Sequence, residues 1–450
     1  MAEQQENKMG TAPIGKLLLT MSLPTIFSML INSLYNVVDG IFVAKIGEKA
    51  LTAVSLALPL QFLIISFSVG TGIGVNSLIS RKLGEKDYEG VDSAANHGFF
   101  LAIINYAIFL ILGVFFTKPF FNMFTADPDV FKYGVDYTSI VLIMSFGVIM
   151  SINCEKTIQG TGNMNYPMLF QLIGAIVNLI LDPILIFGMF GIPAMGVKGA
   201  AIATVTGQII SMLYALFVIT TKDFGFHLNF KGFRVKKETV KLIYKVGFPS
   251  IVMQSISSFL TIALNSILIK FSDTAVSVYG VYSKLQSFVF MPIFGLNQGL
   301  MPLFGYNFGA RNKKRLIDTL KIGMGIACGI MLVGTAGFWL FADKLLIMFS
   351  ATDEMLRVGI PALRIISSCF VLAGVGIVSS TLFQSVGNGN MSLLVSLIRQ
   401  LILILPLAYI GARFFEVDAV WYAFPISEGI AMVISLIFVA KIYNTQIKNM

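Results

Sequence analysis

The sequence predicts an all-α polytopic membrane protein with twelve transmembrane helices in two pseudo-twofold-related six-helix lobes. Three observations carry that expectation. Apolar residues make up 56% of the 450 and charged residues only 12%, against about 25% charged in ordinary globular chains. So few charges cannot cover a soluble surface. Apolar stretches of bilayer-crossing length, about 20 residues each, recur along the chain. The chain also repeats itself at half its length. This balance excludes a soluble enzyme, a DNA-binding domain, a disordered chain and a single-span receptor.

The spans are expected near 16–44, 50–80, 94–116, 133–155, 167–190 and 199–220, then 246–270, 275–305, 318–342, 358–382, 391–411 and 418–440. The opening MAEQQENKMGTAPIGK has no basic region leading into a short apolar core, so no cleavable signal is expected and the first span should direct insertion. The net charge of +9 reads as the Lys and Arg excess of cytoplasmic loops and not as a nucleic-acid footprint. With the amino terminus inside, Arg81, Lys82 and Lys86, the run from Lys222 to Lys245, and Arg311, Lys313, Lys314 and Arg315 share the inner side. Both termini are therefore expected in the cytoplasm and the protein in the plasma membrane, binding no nucleic acid and acting as a monomer.

The repeat has one register. SLPTIF around Pro24 returns as GFPSIV around Pro249, 225 residues later, and MFTADPDVFKYG from Met123 returns as MFSATDEMLRVG from Met348. IQGTGNMN from Ile158 returns as FQSVGNGN from Phe383, and Gly84 as Gly309, all at that offset. Six spans per half keep the second half in the orientation of the first, the parallel repeat of two-lobed transporters. The expected domains are an amino-terminal lobe over 1–221, a cytoplasmic basic linker over 222–245 and a carboxyl-terminal lobe over 246–450. Within the linker, VKKETVKLIYKVG reads as an amphipathic helix lying on the membrane face ahead of the seventh span.

Ionisable groups at membrane depth are costly and so are candidates for function. Asp39 ends the first span in SLYNVVDGIFVA, and Asp182 lies within the fifth in IVNLILDPILIFG. Asn178 precedes Asp182 by one turn and shares its face, while Pro183 removes a backbone donor beside it. Either acid alone reads equally well as a helix cap or an interhelical hydrogen bond. Two in the outer half of one lobe, each beside amides, point to ion coupling. Oxygen donors of this kind suit a proton or sodium and not a soft transition metal.

The second half lacks such acids: Leu264 stands where Asp39 does. It carries Arg399 and Glu428 near mid-span instead, expected as a buried structural ion pair because unpaired charges there would be very costly. Lys284 and Arg364 are expected at similar depth and able to join that network, whereas Glu155 and Lys156 read as interfacial. Cys154, Cys328 and Cys369 fall in apolar stretches without ligand spacing and read as packed thiols; His97 and His227 form no metal cluster. No cofactor and no metal beyond sodium at Asp39 and Asp182 is expected.

These motifs, SLPTIF with YNVVDGIFV, SRKLGEKDYEG, QGTGN, NLILDPILIFG and GVKGAAIATVTG, followed by PLFGYNFGARN and FQSVGNGN, resemble the multidrug and toxic compound extrusion (MATE) family over nearly the whole chain. The resemblance implies an antiporter that exports organic, mostly cationic compounds and drugs against inward proton or sodium flow. It implies that Asp39, Asn178, Asp182 and Thr204 form the amino-lobe cation and proton site, with Tyr137 as the fourth-span tyrosine. One subgroup also uses acids in the seventh and tenth spans; here Ser257 stands at the seventh-span position and no acid lies between Arg357 and Gly387, so the amino-lobe site is the coupling candidate.

The expected function is therefore secondary active multidrug efflux by alternating access, in contact with membrane lipid, and not enzymatic: no HExxH, GxSxG or P-loop is present. A flippase for lipid-linked precursors, from the same wider superfamily, is the alternative reading.

Overall fold

The computed structural model describes residues 7–270, 272–415 and 417–450, apart from the side chains of 417 and 418. Residues 1–6, which open the segment expected to carry no cleavable signal, lie outside the described residues. The membrane helices are α1 (Ile14–Ala44), α2 (Glu48–Gly84), α3 (Tyr88–Phe115), α4 (Pro128–Ile143), α5 (Phe146–Gly160), α6 (Asn165–Phe187) and α7 (Val197–Thr221). The second half supplies α8 (Lys237–Leu268), α9 (Asp273–Gly309), α10 (Lys313–Leu340), α11 (Asp353–Ser367), α12 (Phe370–Ser385), α13 (Gly389–Phe414) and α14 (Ala419–Ile447). Ten of these are long and apolar enough to cross a bilayer, and the pairs α4–α5 and α11–α12 qualify together, which brings the spans to twelve. The chain is an all-α, multi-pass membrane protein, and no strand occurs among the described residues.

The repeat extends from sequence to backbone. Lys86 and Arg311, 225 residues apart, both take a left-handed turn (φ 58° and 52°), as do Gly162 and Gly387 (φ 87° and 83°). Asp87 then caps α3 by accepting from the Gly90 N–H at 2.9 Å, and Asn312 caps α10 by accepting from the Arg315 N–H at 3.1 Å. Both caps satisfy a backbone donor that a helix start leaves free. Where one straight fourth and one straight tenth span were expected, each is two helices, bent by 45° after Ile143 and by 43° after Ser367. Ser145 with Gly147, and Ser367 with Ser368, occupy the breaks; serine and glycine are the residues that kink helices without proline.

By contact density the chain forms two compact units. One comprises Phe27–Leu83 and Asp87–Ile251; the other comprises residues 7–26, Gly84–Lys86 and Val252–Met450. Each unit thus holds the opening turns of the other half's first long helix. In the first unit, Gly70 of α2 faces Ile251 of α8 so closely that a Cβ would overlap it; in the second, Gly295 of α9 faces Ile26 of α1 in the same way. Both glycines and both isoleucines are 225 residues apart. Small residues let helix backbones approach where lipid supplies no hydrophobic drive.

The segments ahead of those helices are anchored likewise. Asn307 Nδ2 donates to Met9 O at 3.2 Å, and Arg315 Nε to the same carbonyl at 2.9 Å. In the other unit the linker is held by α3: Asp92 accepts from the His227 N–H at 2.7 Å, and Asn96 from the Asn229 N–H at 3.1 Å. His97 accepts the Lys236 N–H on Nε2 at 2.8 Å, and its Nδ1 lies 2.7 Å from Ser93 O. A histidine with no metal-binding companions in the sequence therefore fixes the end of the linker.

Three expectations need correction. VKKETVKLIYKVG is not a separate surface helix, because from Lys237 it is the start of α8, and Ile243 and Val246 are buried against the α2 glycines. Glu155 and Lys156 are not interfacial. Both are buried, Lys156 Nζ lies 3.0 Å from Glu155 Oε1, and Gln159 and Gln171 donate to the same carboxylate at 3.0 and 2.9 Å. Gly72 of α2 leaves room for the Lys156 stem, so the ammonium reaches a partner inside and has no need to snorkel. Finally, α13 runs through a π-helical stretch at Ile398–Ile404 directly before Pro406, whose missing N–H leaves the preceding carbonyls to find other donors.

Candidate functional site

Five helices of the first unit bring polar side chains to one place. Asp182 and Asn178 sit one turn apart on α6, both buried, with Pro183 just beyond. Asn178 Nδ2 donates to Asp182 Oδ1 at 3.4 Å and to Thr204 Oγ1 of α7 at 3.2 Å. Asp39 of α1 reaches across, its carboxyl in hydrogen-bond contact with that of Asp182. Two carboxylates offer only acceptors, so this contact holds only with a proton or a cation between them. Asp182 is fully enclosed and Asp39 half-buried, so Asp39 is the member an arriving ion meets first.

Tyr137 of α4 is buried beside the acids, and its hydroxyl accepts from Gln61 Nε2 of α2 at 3.2 Å. Tyr35, one turn before Asp39 on α1, hydrogen-bonds Thr204. All five residues expected at the site, Asp39, Tyr137, Asn178, Asp182 and Thr204, therefore lie in one constellation. Tyr35 and Gln61 belong to it too and were missed. Tyr35 could have been found from its spacing to Asp39, which puts both on one helix face. Gln61 could have been found as a lone amide in the apolar run LALPLQFLII.

The donor set is all oxygen. Asn178 Oδ1 is buried with no hydrogen-bond donor, a carbonyl free to face a cation beside two carboxyls and a threonine hydroxyl. Hard cations and protons take such ligands; soft metals want nitrogen or sulfur. Among the described residues no group of three or more His, Cys, Asp or Glu is placed to hold a metal.

In the second unit Arg399 NH1 meets Glu428 Oε1 at 2.8 Å, α13 against α14. Gln400, the next residue, is buried; it donates to Ser396 Oγ at 2.7 Å and faces Ser257 at 3.4 Å. Lys284 and Arg364 do not join this network, in correction of the expectation. Both are exposed: Lys284 Nζ lies over the Phe349 ring at 5.9 Å, and Arg364 makes no ion pair among the described residues.

The MatE family model matches residues 24–184 and again 249–410, one copy in each half. The chain belongs to the MatE family. As a MatE protein it is a membrane transporter and not an enzyme. It is 24% identical over 445 residues to the multidrug export protein MepA of Staphylococcus haemolyticus, covering 99% of this chain and 97% of that one. It is 25% identical over 419 residues to an FAD transporter of Shewanella oneidensis, covering 93% and 92%. Among solved MatE-type structures, an outward-facing multidrug resistance MATE family transporter of the MOP superfamily superposes with a TM-score of 0.91 at 27% identity, over 99% of both chains. A MOP superfamily transporter from Pyrococcus furiosus superposes with a TM-score of 0.88 at 26% identity, over 97% of both.

Proposed function

We propose that this chain is a multidrug efflux antiporter of the plasma membrane, exporting organic, mostly cationic compounds in exchange for protons or sodium. The observation that carries the reading is the contact of Asp39 with Asp182 beside the unpartnered Asn178 carbonyl. When a proton or sodium ion occupies the site, the two carboxyls sit together. When it leaves, like charges repel in a poorly hydrated place, and α1 is pushed to a different position. Alternating access then exposes cargo and ion in turn. A potential of 100 mV adds about 2.3 kcal/mol per charge moved. Both termini are assigned to the cytoplasm from the Lys and Arg distribution, and no cofactor beyond the coupling ion is needed.

The multidrug export relatives support this cargo class. The FAD transporter relative supports a second reading, an anionic flavin nucleotide. Against both that cargo and a lipid-linked precursor stands the neutralisation of Arg399 by Glu428, since an anion would want that guanidinium free.

The test is transport by the purified chain in vesicles, with a pH gradient and a sodium gradient imposed separately. Accumulation of a fluorescent organic cation under either gradient is the expected result. Equilibration of that cation at the same rate with and without both gradients would remove the antiport reading, and gradient-driven uptake of FAD alone would select the flavin reading.

A further inference from the structure

We propose that the carboxyl-terminal half carries a binding site for one anionic phospholipid, with its phosphate on the Arg364 guanidinium. A groove of about 540 Å³ is lined by Trp339 of α10, Arg364 and Ile365 of α11, and Tyr422, Pro425 and Ile426 of α14. Arg364 is exposed there without an ion pair among the described residues. An isolated guanidinium on the lipid-facing flank of a membrane helix is costly unless a counter-charge reaches it.

The level of the groove fits a lipid headgroup. Trp339 Nε1 donates to the Arg364 carbonyl at 3.0 Å, which ties Arg364 to the far end of α10. That helix begins at Lys313, about 39 Å away by the helical rise, more than the roughly 30 Å hydrocarbon layer. Arg364 and Trp339 thus stand at the interface opposite the basic cluster of Lys313, Lys314 and Arg315. Trp339 and Tyr422 are 51% and 53% exposed, and Trp and Tyr are the side chains that settle at headgroup level.

Chemistry sorts the rest. A guanidinium binds phosphate oxygens in a two-pronged geometry that an ammonium cannot reproduce. Below it, Ile365, Pro425 and Ile426 present the apolar wall an acyl chain needs. The internal repeat supplies a comparison within the same molecule. At the equivalent positions of the first half stand Val114, Ser139 and Val197, so that half has neither the cation nor the aromatics. The groove is a property of one half and not a requirement of the fold.

The experiment is native mass spectrometry of the full chain, delipidated in detergent and titrated with dioleoyl phosphatidylglycerol, dioleoyl phosphatidylcholine or inorganic phosphate. The expected result is one phosphatidylglycerol bound at least tenfold more tightly than phosphatidylcholine, with that preference lost in Arg364→Gln. A Tyr422→Ala variant, with Arg364 intact, should weaken phosphatidylglycerol several-fold without restoring equality between the lipids. Equal phosphatidylglycerol affinity in wild type and Arg364→Gln would overturn the site. So would equal binding of the two lipids to wild type, or displacement of phosphatidylglycerol by millimolar inorganic phosphate.

Discussion

Asn178 and Thr204 are joined by a single hydrogen bond of 3.2 Å that spans α6 and α7. Through it the amide of Asn178 is turned so that its N–H groups face Thr204 and Asp182 while its carbonyl oxygen stays without a donor. The orientation leaves an oxygen lone pair beside two carboxyls, and Pro183 prevents the next turn from supplying a backbone N–H to that oxygen. The same geometry that holds two helices together therefore presents a carbonyl suited to a small cation.

Gln61 should matter through Tyr137. Gln61→Leu leaves the buried Tyr137 hydroxyl without its donor, at a cost of about 1 kcal/mol, and lowers the thermal midpoint in detergent. Adding Tyr137→Phe removes the stranded hydroxyl and should recover much of that loss. An unchanged midpoint in Gln61→Leu would show that the 3.2 Å bond contributes nothing.

The reciprocal helix contacts predict matched sensitivity at two distant glycines. Gly70→Ala and Gly295→Ala should each destabilise by roughly 1–3 kcal/mol through overpacking, because the added methyl meets Ile251 or Ile26, including its backbone. Gly280→Ala, which faces open space, is the control and should change little. Thermal unfolding of the three variants checks this; a tolerant Gly70 beside a sensitive Gly295 would break the equivalence.

Removing one member of the Arg399–Glu428 pair strands the other. Glu428→Leu and Arg399→Leu should each cost a few kcal/mol, while the double replacement should cost less than either, as for other buried pairs. The partial exposure of Arg399, 28% of its side chain, places its stranded cost at the lower end. Unfolding midpoints of the four proteins form the cycle. Strictly additive losses would mean the two charges do not interact.

Much of the site is legible in the sequence alone, for physical reasons that also explain the misses. The Asn178–Asp182 spacing and Pro183 are local, and one helical turn relates them whatever the tertiary fold. The bends after Ile143 and Ser367, the capture of Lys236 by His97 and the burial of Glu155 with Lys156 depend on neighbours far along the chain. The gap that admits the Lys156 stem is made by Gly72, and no pattern around Lys156 reveals it. Gln61 illustrates the intermediate case: its isolation among apolar residues is visible in the sequence, its partner Tyr137 is not.

Asp87 gives a pH prediction outside the spans. The Lys82 ammonium at 2.8 Å, with the Gly90 N–H, holds the Asp87 carboxyl below the usual carboxylate range. A depressed folded value means that the stabilisation is complete above the ordinary value of about 4 and is lost as pH falls through the folded one. Asp87→Asn should therefore be less stable than wild type near pH 7, with the gap closing at acid pH. A gap that widens on acidification contradicts the sign. Asn312, its uncharged equivalent, caps α10 without this dependence.

Coupling through Asp39 and Asp182 is decided by ion-driven uptake of a fluorescent organic cation into vesicles containing wild type, Asp39→Asn or Asp182→Asn, each shown to be folded by its thermal midpoint. The driving gradient should accelerate wild type, and each substitution should lower the gradient-driven rate at least tenfold. A wild-type gradient response in both variants would refute the mechanism, because the two carboxyls would then take no part in coupling.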